Sequence, residues 1–353
     1  MVTVRKGFPL YADDGKAFGK LSEGQMQGIR SLNQAIERGE LHLVENKCLC
    51  GCSPSDKDII VSEKDRYGLS IPQVLCPHCG LIRSGLVFDE KSNSLFYQHF
   101  YRDIYSTHSP TDRFFKGQIA TGTRFLALLE KTIPMANVER VAEVGCGAGG
   151  ILVPFARMGK KVDGYDLGEE YLKYGRTKGL SLHFGEFCDL VADESVDLVI
   201  LSHVLEHFLD PVMELRKIAR KLKPGGYILV AVPGVFHIHD DYVVVLDYFQ
   251  NAHVYNFFKD YLDALFTSLG LEVIYGDEQC TFICRKNPSL EEKPAAWPAS
   301  ADKVADYLLD TSKKYYKLRV LQILRKVRHI AYVVAGFIGY EKIKARFNNR
   351  KRF

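Results

Sequence analysis

The sequence predicts an α/β protein with a mostly parallel sheet, a small cysteine-rich module before the sheet and a helical extension after it. Between residues 138 and 285, short apolar runs alternate with helical stretches, the pattern of a parallel sheet covered by helices on both faces. Two close pairs of cysteines precede that region. A basic segment with a helical apolar period follows it.

Six strands are predicted in the α/β region. They span residues 138–144, 161–165, 196–201, 227–232, 271–275 and 280–285. The turn Lys223–Tyr227, with one proline and two glycines, predicts a helix end followed directly by the fourth of these strands. The last two runs predict a strand and its antiparallel return.

Simpler segments are expected before the sheet. A short helix is predicted at Leu21–Leu43, and a small hairpin between the two cysteine pairs. Residues 96–110 are aromatic and predict an irregular backbone, followed by an amphipathic helix at 115–133. Within the aromatic stretch, tyrosines recur every four residues, which favours one packed helix face over a substrate-binding surface. They are Tyr97, Tyr101 and Tyr105.

Composition narrows the class of protein. With 46% hydrophobic and 25% charged residues, the chain is expected to fold compactly rather than to be disordered. The opening residues lack the apolar core of a secretory signal, and no window reaches the ~20 apolar residues of a membrane span. We therefore expect a cytoplasmic protein whose nine cysteines bind metal or stay as buried thiols rather than form disulfides.

The stretch VAEVGCGAGG, residues 141–150, predicts a buried strand that runs into a glycine-rich turn for a nucleotide. Gly145, Gly147 and Gly150 match the dinucleotide spacing G-x-G-x-x-G. With Gly149 in place of Gly150, the turn matches the looser spacing of S-adenosylmethionine (SAM) enzymes. The turn therefore leaves the nucleotide open.

Asp166 ends the next strand, about 20 residues after the turn, where a carboxylate can accept hydrogen bonds from two ribose hydroxyls. Both NAD and SAM carry that ribose. Residues 197–234, DLVILSHVLEHFLDPVMELRKIARKLKPGGYILVAVPG, discriminate between them. Together with VAEVGCGAG and VDGYDLGEEYL, they resemble class I SAM-dependent methyltransferases, in the branch that includes quinone and sugar methyltransferases.

That resemblance implies a Rossmann-like sheet, mostly parallel with an antiparallel last strand, and SAM as cofactor. It places the glycine turn under the methionine part of SAM, the aspartate on the ribose, and the residues after the next two strands near the adenine, the sulfonium and the substrate. The implied SAM-binding residues are Glu143, Gly145, Gly147, Gly149, Asp166, Leu167, Glu186, Phe187, Ser202 and His203.

Four cysteines in two turns predict a structural, tetrahedral zinc site. The predicted ligands are Cys48, Cys50, Cys76 and Cys79. The second turn, CPHCG, is a well-formed knuckle, whereas the first turn, CLCGC, has an irregular spacing. Cys52 can therefore replace one ligand of the first turn, and His78 can compete. The alternative is a group of buried free thiols.

Residues 47–285 also resemble a bacterial group of methyltransferases linked to sugar and surface-polysaccharide modification, with a zinc module before the methyltransferase domain. The resemblance implies that this module roofs the substrate site without a chemical role. The implied segments are a helical lead-in (1–46), a zinc-binding module (47–110), a SAM-dependent methyltransferase domain (111–285), and a linker with basic amphipathic C-terminal helices (286–353).

Methyl transfer is an in-line displacement that needs a base only if the nucleophile carries a proton. Histidine is the expected base near neutral pH. His253 and His203 are the first candidates, and the resemblance implies that His253 enters the site. His207, expected on the same helix face as His203, is a third candidate or a structural cap. Since no [DN]-P-P-[YF] loop follows the strand, methylation of oxygen or carbon is favoured over nitrogen.

After residue 300 the chain has 14 Lys and Arg against four acidic residues, about +10, which leaves about −6 for the rest. Apolar residues at alternating steps of four and three predict a helix that packs on the enzyme or on a second copy in a homodimer. They are Val320, Leu324, Val327, Ala331, Val334 and Ile338. Contact with anionic lipid at the inner membrane face is the alternative, and nucleic-acid binding ranks third.

The sequence as a whole predicts a zinc-containing, SAM-dependent methyltransferase. Its expected acceptor is oxygen or carbon of a small molecule, a sugar of a nucleotide-linked or lipid-linked glycan. One alternative is an NAD(P)-dependent oxidoreductase, which the glycine turn permits. The other is a non-catalytic partner protein that binds SAM and zinc.

Overall fold

Three sheets organise the part of the chain that the structure describes, in a computed structural model that covers residues 6–52, 57–105 and 110–314. The strands are β1 (Leu43–Glu45), β2 (Ile59–Ser62), β3 (Gln73–Leu75), β4 (Ile82–Ser84), β5 (Leu86–Phe88), β6 (Arg140–Val144), β7 (Lys161–Asp166), β8 (Leu182–Phe184), β9 (Val196–Ser202), β10 (Leu222–Ala231), β11 (Tyr255–Asn256), β12 (Leu271–Gly276) and β13 (Thr281–Lys286).

Helices cover the sheets and connect their strands. They are α1 (Glu23–Glu37), α2 (Glu90–His99), α3 (Tyr101–Tyr105), α4 (Asp112–Thr132), α5 (Val153–Arg157), α6 (Glu169–Thr177), α7 (Phe187–Leu190), α8 (Pro211–Lys221), α9 (Ile238–Asp241), α10 (Val245–Tyr248) and α11 (Lys259–Ser268). The predicted helices at Leu21–Leu43 and 115–133 correspond to α1 and α4.

The largest sheet has the strand order β12-β13-β10-β9-β6-β7-β8. β13 is antiparallel to β10 and β12, whereas the other neighbouring strands are parallel. The predicted α/β sheet with an antiparallel last strand is therefore confirmed. β8 escaped prediction, because its three residues include a histidine and are too few to show a period of two.

The six predicted strands are all present, and the largest difference in bounds is at β10. This strand begins at Leu222, five positions before the predicted start. Leu222 pairs with Val196 and Tyr227 pairs with Leu198, so residues 223–226 bulge out opposite one residue of β9. The proline and glycines therefore form a bulge inside the strand, not a turn before it.

The centre of the sheet is buried on both faces. In β9, Leu198 and Ile200 pack in one hydrophobic core, and Val199 and Leu201 pack in the other. All four side chains are inaccessible to solvent. An unbroken apolar run with both faces covered is what the parallel arrangement predicts, and it makes β9 a rigid support for the residues that follow it.

The prediction of an irregular backbone over residues 96–110 is wrong for residues 96–105, which belong to α2 and α3. The Asp89 side chain caps α2 by accepting a hydrogen bond from the backbone N–H of Ser92. Phe96 and Ile104 are buried against Leu32 of α1, so tertiary packing stabilises this aromatic stretch as helices.

A smaller sheet joins the cysteine region to the α/β region. It has the order β11-β4-β3-β2, and β11 comes from the chain after β10. Tyr255 pairs with Arg83, and Asn256 pairs with Ile82. The loop that leads into β11 is thereby held between the two regions. The predicted domain boundaries stay predictions.

Residues after the sheet pack back onto it. Trp297 stacks on Tyr261 with ring centroids 4.5 Å apart. Residues 301–314 are helical, and Val304 and Leu308 are fully buried. The predicted apolar stripe from Val320 to Ile338 lies outside the described residues. Among residues 6–52, 57–105 and 110–314, no helix combines the length and apolar character needed to cross a bilayer.

Candidate active site

The glycine turn lies at the carboxyl end of β6, at the edge of the sheet where parallel strands present their loops. Gly145, Gly147 and Gly149 all have positive φ angles, of 66°, 55° and 74°. Gly150 instead begins a 3-10 helix. A side chain at Gly145 would also meet Val204, since an ideal Cβ there lies 2.6 Å from a Val204 methyl group. The turn therefore requires glycine for backbone conformation and for space.

Asp166 connects this turn to the next strand end. Its Oδ2 accepts a hydrogen bond from the backbone N–H of Gly147 at 2.8 Å, and its Oδ1 accepts one from the N–H of Gly168 at 2.6 Å. The carboxylate is thus oriented beside the glycine turn, as a ribose ligand needs to be.

Arg102 in α3 is a contact of Asp166 that the sequence did not predict. Its guanidinium donates to Oδ1 of Asp166 at 3.0 Å and lies 4.1 Å from the centre of the Tyr171 ring. No spacing rule singles out one arginine in an aromatic stretch. Only the packing of α3 over the strand ends brings it to the carboxylate.

Glu143 is a buried carboxyl at the end of β6, and its Oε2 has no hydrogen-bond partner within the described residues. Burial, together with the nearby charge of Asp166, raises the pKa of Glu143 well above its usual range. A buried acceptor without a donor is unfavourable unless a ligand or water supplies one. The site therefore fits a cofactor that donates hydrogen bonds next to the glycine turn.

The residues predicted to contact adenine differ in burial: Leu167 is exposed, whereas Phe187 is buried. Leu167 is exposed beside Asp166, and the exposed Phe184 stands opposite Asp166 in the β7–β8 pairing. Phe187 is buried against the ring of Tyr165, and Glu186 precedes α7. Phe184, absent from the predicted set, is an apolar side chain at this edge that an adenine ring can cover.

Ser202 and His203 follow β9, as predicted. His203 has a φ of 56°, which is uncommon for a residue with a side chain. Residues Leu205–His207 form a short 3-10 helix that begins after His203. The prediction that His203 and His207 share a helix face is therefore wrong, because the left-handed backbone at His203 leaves it outside the helix that contains His207.

The three predicted histidines come together around a residue that the sequence did not single out, Glu206. The Glu206 side chain is 2% exposed, and its Oε1 lies 3.4 Å from Nδ1 of His203 and 3.8 Å from Nε2 of His253. The rings of His207 and His253 are 5.0 Å apart. We call these four residues, His203, Glu206, His207 and His253, the histidine cluster.

Neighbouring segments hold the cluster in place. Nδ1 of His207 lies 3.1 Å from the hydroxyl of Tyr97 in α2. The backbone N–H of Val254 donates to the carbonyl of Glu206 at 2.8 Å, which ties the His253 loop to the end of β9. The Gln250 amide contacts the His253 ring and accepts from Arg66 at 2.7 Å.

Burial sets the protonation of the cluster. It lowers the pKa of His253 well below its usual value, and it also lowers the pKa of His207. The surrounding protein partly desolvates His203, although its side chain is 65% exposed, and this acts in the same direction; the Glu206 carboxylate outweighs it and raises the pKa of His203 above its usual value. His253 and His207 are thus neutral near pH 7, the form in which an imidazole accepts a proton.

The predicted zinc ligands form a second cluster. Sγ of Cys48 lies 3.5 Å from that of Cys79 and 3.4 Å from that of Cys50, which is 3.7 Å from Cys76. All four sulfur atoms are within 4.8 Å of one another. Tetrahedral zinc with bonds of about 2.3 Å separates its sulfur ligands by about 3.8 Å, so this cysteine cluster fits zinc. Cys52, the alternative ligand, is not one of these four but interacts with Cys50 and Cys76.

Comparison with known proteins identifies the domain. Residues 107–275 match the family model of a methyltransferase domain. The chain is 37% identical over 100 residues to the ubiquinone biosynthesis O-methyltransferase of Xanthomonas oryzae pv. oryzae, a match that covers 26% of this chain and 42% of that one. The enzyme of the same name from Ralstonia nicotianae is 34% identical over 108 residues, a match that covers 28% of this chain and 45% of that one. The chain thus spans less than half the length of these relatives.

Solved structures with a similar arrangement include a SAM-dependent methyltransferase from Methanosarcina mazei, with a TM-score of 0.37 and 18% identity over 45% of this chain and 97% of that one. Another is a SAM-dependent methyltransferase from Thermotoga maritima, with a TM-score of 0.38 and 19% identity over 50% and 93%. The family match and the sheet order do not favour the dinucleotide oxidoreductase. The family match and the relatives therefore support a SAM-dependent methyltransferase domain at residues 107–275, and the largest sheet of the described residues is Rossmann-like.

Proposed function

We propose that the protein transfers the methyl group of SAM to a hydroxyl oxygen of a small molecule, with His253 as the base. One observation carries the proposal: neighbouring residues of α3 touch both halves of the site. Arg102 binds Asp166, and the Tyr101 ring lies 6.0 Å from the ring of His207. The histidine cluster therefore lies next to Asp166, the proposed ligand of the cofactor ribose. An acceptor and a base are needed at this position.

The residues fit the cofactor as follows. The left-handed turn at Gly145 and Gly147 would lie against its amino-acid part, Glu143 would accept a hydrogen bond from it, and Asp166 would accept from its ribose. SAM, when bound, supplies a methyl group on a positively charged sulfur, which an oxygen lone pair can displace. The protein contributes position and a base, since positioning supplies much of the rate of such a displacement.

His253 is the preferred base because its ring is buried, neutral and packed against Glu206. It takes the proton from the acceptor hydroxyl as the oxygen forms its new bond to carbon. His203 is the second candidate, and its pairing with Glu206 already favours a proton there. His207 is engaged with Tyr97, which supports a role in packing.

The acceptor we propose is a sugar of a nucleotide-linked or lipid-linked glycan. Its support is the row of half-buried rings of Tyr97, Tyr101 and Tyr105 beside the base, which pack on one another and, as predicted, against the core beneath them. The relatives named above are O-methyltransferases, which favours oxygen over carbon as the acceptor atom.

We further propose that zinc binds the cysteine cluster in a structural role. Four thiolate ligands leave no open position on the metal, so it has no site for substrate. The nearby small sheet includes β11, which directly follows the His253 loop. Zinc thus supports the base through the fold and takes no part in the reaction.

The test is a transfer assay with methyl-labelled SAM and a panel of nucleotide sugars and lipid-linked sugars, with products identified by mass spectrometry. We expect a product heavier by one methyl group with wild type and its loss in His253→Ala. His239→Ala is the matched control, because His239 is exposed and contacts Tyr307 instead of the cluster. SAM binding without transfer to any sugar would contradict the acceptor class.

A further inference from the structure

Glu206 is a buried carboxylate with an unusual set of neighbours. Neither of its side-chain oxygens has a hydrogen-bond partner within the described residues, although the side chain is only 2% exposed. Burying a charge without a partner is strongly unfavourable. The protein therefore needs a positive charge or a proton beside this carboxylate.

Titratable groups from several elements face Glu206. They are His203 and His207 on its own segment, Tyr97 and Tyr101 on α2 and α3, His253 on the loop before β11, Tyr242 and Tyr248 on the segment after β10, and Arg66 behind Gln250. Within the described part of the chain, only the rings of His203 and His253 come within 4.0 Å of the carboxylate as groups that can be positive.

Both of those contacts involve the same oxygen. Oε1 of Glu206 is 3.4 Å from Nδ1 of His203 and 3.8 Å from Nε2 of His253. The two histidines differ in access to solvent, since the His253 side chain is 6% exposed and that of His203 is 65% exposed. A proton taken by His253 is therefore enclosed, and the carboxylate lies on the way to an exposed ring.

We propose that Glu206 is a positioning residue shared by the two histidines: it pairs with whichever ring holds the proton and so links buried His253 to exposed His203 and solvent. The assignment of His253 as base rests on the proposed function. After each transfer the His253 imidazolium gives its proton to Glu206, which passes it to Nδ1 of His203. The His203 imidazolium then gives a proton to water, so no charge accumulates. These contacts need to shorten for each transfer, as is common when ligand binds.

The experiment follows the ring signals of each histidine by NMR as pH is varied, and it needs no acceptor. We compare wild type, Glu206→Gln and His203→Asn. Asparagine is chosen because it tolerates the positive φ at position 203. Asp163→Asn is the matched control, because Asp163 forms a separate carboxylate–histidine pair with His183 at 3.1 Å.

We expect Glu206→Gln to lower the pKa of His203 by about one to three units, the effect of removing an opposite charge at this distance. His203→Asn should raise the pKa of His253, because a competing positive charge is removed and the carboxylate then faces His253 alone. Asp163→Asn should leave the pKa of His203 and that of His253 unchanged. In the Glu206→Gln background, His203→Asn should raise the pKa of His253 less, because only the direct repulsion between the two rings is then removed. An equal rise with and without the carboxylate would contradict the proposal.

The proposal is overturned if Glu206→Gln leaves His203 unchanged while the protein stays folded and binds SAM. It is also overturned if the histidines of wild type titrate only after a chelator is added, because a metal ion would then be the partner of Glu206. Failure of SAM to bind wild type in calorimetry would contradict the proposed function and leave these pKa shifts as they are, so the two failures are distinguishable.

Discussion

The cysteine cluster and the histidine cluster are both groups of metal-type ligands at loops, and they differ in how fully their groups are satisfied. In the cysteine cluster, four like atoms surround one point at the spacing that a tetrahedral ion requires. In the histidine cluster, neither oxygen of Glu206 has a hydrogen-bond partner in the part of the chain that the structure describes, and the three histidines differ in burial and protonation. The cysteine cluster, whose four thiols can all bind one ion, suits a structural role. The histidine cluster, with its unpartnered carboxylate, suits a catalytic role.

The largest effect is expected from removing one ligand of the cysteine cluster. Cys79→Ser should abolish zinc binding and unfold the small sheet, because a structural zinc ion contributes on the order of 10 kcal/mol to folding. Metal content by mass spectrometry and the thermal midpoint measure this. Cys52→Ser is the comparison variant, since Cys52 is not one of the four grouped thiols although it interacts with Cys50 and Cys76. Equal loss of zinc in both variants would show that the wrong thiols are assigned.

The next largest effect is expected from removing the proposed base from the histidine cluster. His253→Ala should lower the rate of methyl transfer by about 10²- to 10⁴-fold, the usual contribution of a general base. The affinity for SAM should stay within about twofold, because His253 contacts Glu206 and Gln250 rather than the glycine turn. Single-turnover rates and calorimetry separate the two quantities. A parallel loss of SAM affinity would assign His253 to the binding of cofactor.

A third effect concerns the cofactor side of the site. Asp166→Ala should weaken SAM binding by about 10- to 100-fold, since hydrogen bonds to a charged group contribute about 1.5–3 kcal/mol. Asp163→Asn on the same strand is the control, because Asp163 pairs with Arg140 and His183 and makes no contact with the glycine turn. If both variants bind SAM as wild type does, the ribose lies elsewhere.

The smallest effect sharpens the choice between two histidines. A base is active when neutral, so activity falls as pH drops through its pKa. Burial lowers the pKa of His253, which places the acid limb of the pH–rate profile below about 6.5 if His253 is the base. Glu206 raises the pKa of His203, so a limb above that value would assign the role to His203 instead.

The same contrast explains what could be predicted from the sequence. Cys76 and Cys79 stand in one turn, and Gly145 to Gly149 stand in another, so local spacing alone marks both features. The alternating runs of β6 to β13 likewise carry their period in the sequence, apart from the short β8 and β11.

Long-range contacts could not be predicted in this way. Arg102 reaches Asp166 only because α3 packs over the strand ends. Tyr97 lies in α2, and the packing of that helix brings it to His207. Glu206 and His253 are distant in sequence and meet because β11 joins the small sheet. The prediction that His203 and His207 share a helix face was wrong for a local reason, because the backbone at His203 is left-handed.

The most direct test of the central claim is calorimetric titration of the purified protein with SAM and, separately, with NADH. We predict binding of SAM in the micromolar range and no heat with NADH, because the glycine turn and Asp166 lie within the residues that match a methyltransferase domain. Heat with NADH and none with SAM would contradict it, and the turn at Gly145–Gly149 would then belong to a dinucleotide site.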